Sequence, residues 1–425
     1  MFGFTRDERG YAVFAGVPLA SFLEQHKIPT PAFIYDLNAI GNTAGELVEA
    51  LNSGGNSPRA VSGNLVAYAM KANSAGTILR TVAQAGAGAD VVSGAELQLA
   101  LAVGIKPNQI VMSGVAKTDP EIDLAIGQSI RAMQVESVEE LPRIAARARA
   151  LGTKARVTLR INPGIRIDSH AHVATGHSAA KFGILRQDLK RAWELIDAEP
   201  ALTGVGLSTH LGSTLREVET YLGGGRVVCE EARLRAQMGK KLEYVNFGGG
   251  FGIDYGKGPV PPPAAYATAA VKLRAEAGLD DHDLLVEPGR SLVGAFGVLV
   301  AQVVQIKKTP ELSWMMLDVG MNDLLRPALY QAHHRIESLV EPPSGSPWRV
   351  AGPVCESTDD FGTHVISEAV PAAVAIRDAG AYGFVMSSEY NGRALAAEVF
   401  IRDHKLVHMN PSPGTERWVK SRLSA

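Results

Sequence analysis

From residue 65 onward, short apolar runs rich in β-branched residues alternate with longer Ala/Leu/Glu-rich segments. The runs fall at 65–70, 89–92, 110–112, 132–135, 156–161, 205–209, 244–247 and 284–287. Their shortness, and the Gly, Pro, Asn and Asp residues that bound them, predict strands. The segments between them, near 75–86, 94–103, 119–128, 137–151, 186–198, 214–238 and 264–277, predict helices. Strand and helix alternating over roughly 250 residues is the pattern of a (β/α)8 TIM-like barrel, an α/β fold whose site lies at the C-terminal ends of the strands. A doubly wound open sheet is the competing architecture.

The pattern changes after about residue 294, where β-branched runs at 297–306, 314–318, 370–376 and 396–401 follow without helical segments between them. This predicts a second, all-β domain, a sandwich or small barrel. The strand-like piece 32–35 follows Pro29-Thr30-Pro31 and has no place in the barrel, so it is expected to pair into that domain. The expected division is therefore a barrel at 37–293 and a discontinuous β domain at 1–36 and 294–425. Asp36 or Asn38 is the expected cap of a helix running to about Asn52.

A chain of 425 residues with 46% apolar content is long enough for about two cores. A net charge of -2 with no basic block leaves no electrostatic footprint for nucleic acid or an anionic membrane. The longest apolar run, 292–301, is too short to span a bilayer, and the charged N-terminus lacks a signal-peptide core. Cys229 and Cys355 are the only cysteines, too few for a disulfide framework or a cysteine-rich metal site. Together these predict a cytoplasmic enzyme with no metal centre, whose partners are small molecules or a second copy of itself.

Polar and glycine residues recur at one end of the predicted strands: Lys71, Asp90, Asn162-Pro163-Gly164, His210-Leu211-Gly212-Ser213, Gly248-Gly249-Gly250 and Glu287-Pro288-Gly289-Arg290. A barrel gathers them over one mouth. Lys71 is a candidate Schiff-base amine if apolar walls disfavour its ammonium form, or otherwise a lysine capping a strand in solvent. The glycine run suits an anion nest, or a tight turn. Arg290 reads as an anion clamp or a rim ion pair, and His210 as a stacking or proton-moving residue or a satisfied core histidine. Glu287 is either a surface charge or a carboxylate that keeps a pyridine nitrogen protonated. Cys229, in a helical segment, reads as packing.

The motifs Tyr68-Ala69-Met70-Lys71-Ala72-Asn73, His210-Leu211-Gly212-Ser213, Gly248-Gly249-Gly250 and Glu287-Pro288-Gly289-Arg290 resemble those of the fold-type III pyridoxal-phosphate decarboxylases. Asp318-Val319-Gly320-Met321-Asn322-Asp323-Leu324-Leu325-Arg326-Pro327-Ala328-Leu329-Tyr330, Gly352-Pro353-Val354-Cys355-Glu356-Ser357 and Asp378-Ala379-Gly380-Ala381-Tyr382-Gly383 resemble the diaminopimelate decarboxylases among them. The likeness spans about residues 30–401. His170, Thr175 and Gly176 keep the family pattern, with Ala171 and His172 where Pro and Tyr are typical.

The resemblance implies pyridoxal 5'-phosphate as cofactor, joined to Lys71, with His210 on the ring face, Glu287 toward the ring nitrogen and Gly250 with neighbouring amides on the phosphate. It places Asp90, Ser213, Gly249, Gly289, Arg290 and Tyr382 in the same cofactor set. It makes Arg290, Arg326, Tyr330, Glu356 and Tyr382 substrate-binding, and Lys71, Cys355 and His210 catalytic. It also implies a head-to-tail homodimer with shared active sites. meso-Diaminopimelate carries an amino-acid group at each end, so recognition of the distal end calls for forked donors for a carboxylate, Arg326 and Arg290, and an acid for an ammonium, Glu356. The expected reaction releases CO2 to leave L-lysine. The alternatives are a related decarboxylase acting on D-ornithine, D-lysine, carboxynorspermidine or a carrier-bound glutamyl group, or a non-catalytic homologue.

Overall fold

The computed structural model describes residues 3–53, 63–165, 181–340, 345–367 and 369–423, so the segment 170–176 lies outside the described residues. The chain forms two compact units: Gly41–Gly252 with Val260–Ser291, and Met1–Ile40 with Ile253–Pro259 and Leu292–Ala425. The short stretch Ile253–Pro259 belongs to the second unit, although the sequence pattern runs it on from the seventh strand of the first.

In the first unit eight strands form a closed ring: β1 (Leu65–Ala69), β2 (Gly88–Val91), β3 (Ile110–Met112), β4 (Ala132–Val135), β5 (Ala155–Asn162), β6 (Leu202–Thr209), β7 (Tyr244–Gly249) and β8 (Asp283–Glu287). Each strand pairs in parallel with its neighbours in sequence, and β8 with β1 closes the ring. The open-sheet alternative is thereby removed. Helices such as Gly76–Gln84, Gly94–Ala102, Asp119–Gly127 and Val218–Gln237 connect successive strands. Asp119–Gly127 starts where a capping box allows it. Thr118 and Glu121 satisfy each other's backbone donors, and Glu121 also accepts from the Gly94 amide at 2.9 Å.

Alternation along a strand builds the barrel interior in layers. On β8 the residues Asp283, Leu285 and Glu287 share one face. Leu285 packs with Leu65, Ala67, Val111, Ala132, Val205 and Tyr244 in a buried apolar middle layer. Below it, at the N-terminal ends of the strands, Arg131 pairs with Asp283 at 2.8 Å, and both side chains are almost fully buried. Arg131 also donates to the Gly63 carbonyl at 3.0 Å and lies 5.1 Å above the Tyr244 ring. Arg156 and Glu243 form a forked pair at the same end.

The second unit is sheet-rich. Gly297–Lys308 is flanked by Ser313–Leu317 and by Ala32–Asp36, which runs antiparallel to it and parallel to Ala397–Arg402. Ala373–Ile376 and Ile336–Ser338 add to the same assembly. Its core includes Phe14, Phe22, Ile34, Val298, Val300, Val399 and Ile401. It also holds helices the strand pattern does not show, Leu19–His26, Arg326–Tyr330 and Gly414–Leu423, and a three-stranded sheet of Thr5–Arg6, Ala12–Phe14 and Val17–Pro18. Asp36 caps the helix Leu37–Asn52 by accepting from the Ala39 amide at 3.0 Å. Among the described residues no helix is long and apolar enough to cross a membrane.

The ion pair beneath the apolar layer is expected to be a large local contributor to the barrel's stability. Asp283→Ala strands the Arg131 guanidinium in a dry site and should cost about 3–5 kcal/mol in urea unfolding, whereas Arg131→Met with Asp283→Leu should cost much less.

Candidate active site

β1 ends at Ala69, and the chain turns through the 3₁₀ segment Met70–Ala72, which lifts Lys71 over the mouth of the barrel. The apolar wall expected around this lysine is not what it meets. Its side chain is 41% exposed, and Nζ lies 3.2 Å from Oδ2 of the buried Asp90 on β2. Lys71 is therefore positioned by a counter-ion, not by desolvation.

Asp90 opens a chain of buried hydrogen bonds that crosses the barrel. Its Oδ1 accepts from the Ser113 hydroxyl, and Ser113 Oγ accepts from Gln134 Nε2 at 3.0 Å. The same Nε2 donates to Oε1 of Glu287 on β8. Asn246 Nδ2 on β7 donates to that oxygen as well, at 2.7 Å, and the Ser208 hydroxyl on β6 donates to Gln134 Oε1. Glu287 is 6% exposed. Burial, then the charge of Asp90, pushes its carboxyl up to about 7, opposed by Lys71, Asn246 and Arg160.

The glycine run ends β7 in a bulge: Asn246 pairs with Leu285, but the next partners are Gly249 and Glu287. Asn246 Oδ1 accepts from the Gly248 amide at 2.9 Å. Gly248 and Gly250 hold φ of 69° and 95°, and a Cβ on Gly249 would lie 1.8 Å from the Glu287 carbonyl oxygen. Only glycine fits this cradle, a backbone arrangement of the kind from which anion nests are built. The Gly249 amide donates to His210 Nδ1 at 3.2 Å, which places the neutral ring's proton on Nε2. Burial, with the charges of Arg160 and Lys71, holds His210 well below its ordinary pKa. Nearby, Arg290 Nη2 donates to Ser213 Oγ at 3.0 Å, and Gly289 packs on Ala69 and Ala72.

Lys71, His210 and Glu287 line one cavity of about 430 Å3, together with Ser113, Lys117, Glu136, Arg160 and Phe182. Lys117, unlike Lys71, is buried. All three of its donors are used, on Gly114 O, Gln134 O and Glu140 Oε1. Arg160 pairs with Glu136 at 2.8 Å, and Glu136 takes the Gly183 amide at 2.9 Å. Sequence reasoning missed Ser113, Lys117, Gln134, Glu136, Ser208 and Asn246. For Gln134, Ser208 and Asn246 the signal available was the inward parity of their strands, readable only once register is known; Ser113, Lys117 and Glu136 lie beyond the strand ends.

The remaining candidates lie in the second unit. Arg326 is buried, donates to His334 Nε2 at 2.6 Å and stacks 4.6 Å from the Tyr255 ring. Tyr330 ends the same short helix, half-buried. Cys355 is exposed, its amide donating to Asn391 Oδ1 at 3.3 Å, and exposed Glu356 accepts from the Tyr390 hydroxyl at 2.5 Å. Tyr382 holds a left-handed φ of 56°. Cys229 is buried, its thiol pushed up to about 12 by desolvation.

Residues 56–294 match the family model described as the pyridoxal binding domain of pyridoxal-dependent decarboxylases. The chain is 37% identical to a diaminopimelate decarboxylase of Zymomonas mobilis, over 92% of this chain and 91% of that one. The crystal structure of diaminopimelate decarboxylase from Helicobacter pylori complexed with L-lysine superposes with a TM-score of 0.86 at 35% identity, covering 95% of this chain and all of that one. The enzyme from M. jannaschii in co-complex with L-lysine gives 0.89 at 30% identity, over 100% and 99% of the two chains. With a lysine, a buried acid and an anion cradle gathered on a closed barrel, and relatives of this length and identity, the chain belongs to the diaminopimelate decarboxylase family of pyridoxal-dependent decarboxylases.

Proposed function

We propose that the chain decarboxylates meso-2,6-diaminopimelate at its D-configured centre, releasing CO2 and L-lysine. The observation that carries this reading is that Lys71 and Glu287 border one cavity, in a chain whose relatives of nearly equal length are diaminopimelate decarboxylases. Lys71 would hold the aldehyde carbon of pyridoxal phosphate, the Gly250 amide with Ser213 and Arg290 its phosphate, and Glu287 its ring nitrogen. When bound, the cofactor supplies an electron sink for the pair left as the bond between Cα and the carboxylate breaks.

The rest of the chemistry falls to side chains. Asp90 holds Nζ of Lys71 at the mouth, and the neutral ring of His210, anchored by the Gly249 amide, presents a flat face beside it. Arg326, Arg290 and Tyr330 bind the distal carboxylate, and Glu356 with Tyr382 binds the distal ammonium. A forked guanidinium is suited to that carboxylate in a way a lone ammonium is not. Cys355, exposed in this chain, delivers the proton to Cα, with Cys355 and Glu356 acting across the interface of a homodimer. An accessible thiol in that role fits a reducing, cytoplasmic setting.

Lys71→Ala should abolish both CO2 release and the visible absorbance of lysine-bound pyridoxal; persistent turnover would sink the mechanism. Arg326→Leu should raise KM for diaminopimelate roughly tenfold to a hundredfold, the worth of charged hydrogen bonds, and leave D-lysine turnover little changed. Assay of CO2 release from diaminopimelate, D-ornithine, D-lysine and carboxynorspermidine tests the substrate itself, and turnover of the others with none of diaminopimelate would overturn it.

Glu287 predicts a pH signature in cofactor-free protein. Its carboxyl is raised from the ordinary 4.5 to about 7, so the folded chain holds this proton more tightly than the unfolded one. The stability it contributes is present below pH 4.5 and is lost as pH rises through 7. Glu287→Gln should therefore gain stability relative to the parent between pH 5 and pH 8, by up to about 3 kcal/mol, measured from urea midpoints at each pH.

A further inference from the structure

Glu287 has two neutral donors on a single oxygen. Gln134 Nε2 and Asn246 Nδ2 both reach Oε1, and among the described residues none reaches Oε2. The carboxylate borders the cavity, so its unengaged oxygen is the one left for a ligand. Asn246 is itself tied to the Gly248 amide through its Oδ1. Gln134 is held more fully: Oε1 takes the Ser208 hydroxyl, and Nε2 serves Ser113 and Glu287 together. A flipped amide would set its oxygen against a carboxylate oxygen and abandon Ser113, so one orientation is enforced.

We propose that Gln134 is a positioning residue for the cofactor. It clamps Oε1 of Glu287 so that Oε2 faces the pyridine nitrogen, and through Ser113 it links that acid to Asp90, the counter-ion of Lys71. The inference rests on the reading that Glu287 meets the ring nitrogen. A neutral amide suits this place better than a cation. A lysine or arginine at 134 would neutralise Glu287 and remove its preference for a protonated ring, whereas an amide orients the acid and leaves its charge unmatched.

The test compares pyridoxal phosphate with its analogue carrying carbon in place of the ring nitrogen. Each is titrated by absorbance into the full-length chain stripped of cofactor and into Gln134→Met, which keeps the volume and loses the donor. Gln134→Met should weaken pyridoxal phosphate about tenfold, as for a lost hydrogen bond to a charged group, and leave the carbon analogue unchanged. Equal affinities in both chains, or equal weakening of both ligands, overturns the proposal, because a purely structural role does not distinguish the two rings. Should Gln134→Met fail to fold, Ser208→Ala removes only the hydroxyl that orients the amide. It should reproduce the selective loss at about threefold, and a non-selective result there is equally fatal. Absence of any binding of pyridoxal phosphate to the parent chain would instead overturn the reading of Glu287, and the inference with it.

Discussion

A carboxylate kept ionisable inside a closed parallel barrel is the constraint around which this site is arranged. Glu287 lies at the end of β8 with apolar residues one layer below, where an isolated charge is strongly disfavoured. A cation placed against it would relieve the cost and fix the carboxylate in its charged form. The barrel answers with dipoles: an amide from β4, an amide from β7 and hydroxyls beyond β3 and on β6. The polar upper layer follows from that requirement, as does the position of Lys71, which reaches the same hydrogen-bonded set through Asp90.

Full charges are used where no titration is needed. At the opposite end of the strands Arg131 and Asp283 pair across the ring, so β8 carries two acids on one face with opposite fates. One is matched by a guanidinium. The other is left to amides. Lys117, with its three carbonyl and carboxylate partners, shows the same economy: it is buried at the mouth with every donor committed, whereas the Lys71 side chain is 41% exposed.

What was legible in the sequence divides along physical lines. Strand runs bounded by Gly and Pro carry local information, so the eight strands and the mouth residues that follow them were readable directly. Lys71, His210, Gly249 and Glu287 stand out because their residue types are unusual after an apolar run. Gln134, Ser208 and Asn246 look like ordinary strand residues, and only the parallel register turns them inward together, beside Ser113 just past β3. Of the two readings open for Lys71, apolar walls fail and partial solvent exposure holds, while Asp90 comes from the neighbouring strand, which the local run does not show. In the second unit, strands of two or three residues such as Thr5–Arg6 are too short to show a period. Arg326, Cys355 and Glu356 were found through family resemblance; nothing in their local pattern marks them.

The bulge at the end of β7 has a consequence for how this scaffold tolerates change. Three successive glycines are each fixed by a main-chain oxygen lying where a side chain would begin, and two of them by a left-handed backbone as well. No single substitution there can be compensated by repacking, because the obstacles are backbone atoms. Libraries aimed at new substrates would spend their diversity poorly on this loop. Positions outside this loop are where amino-acid replacement leaves its backbone intact.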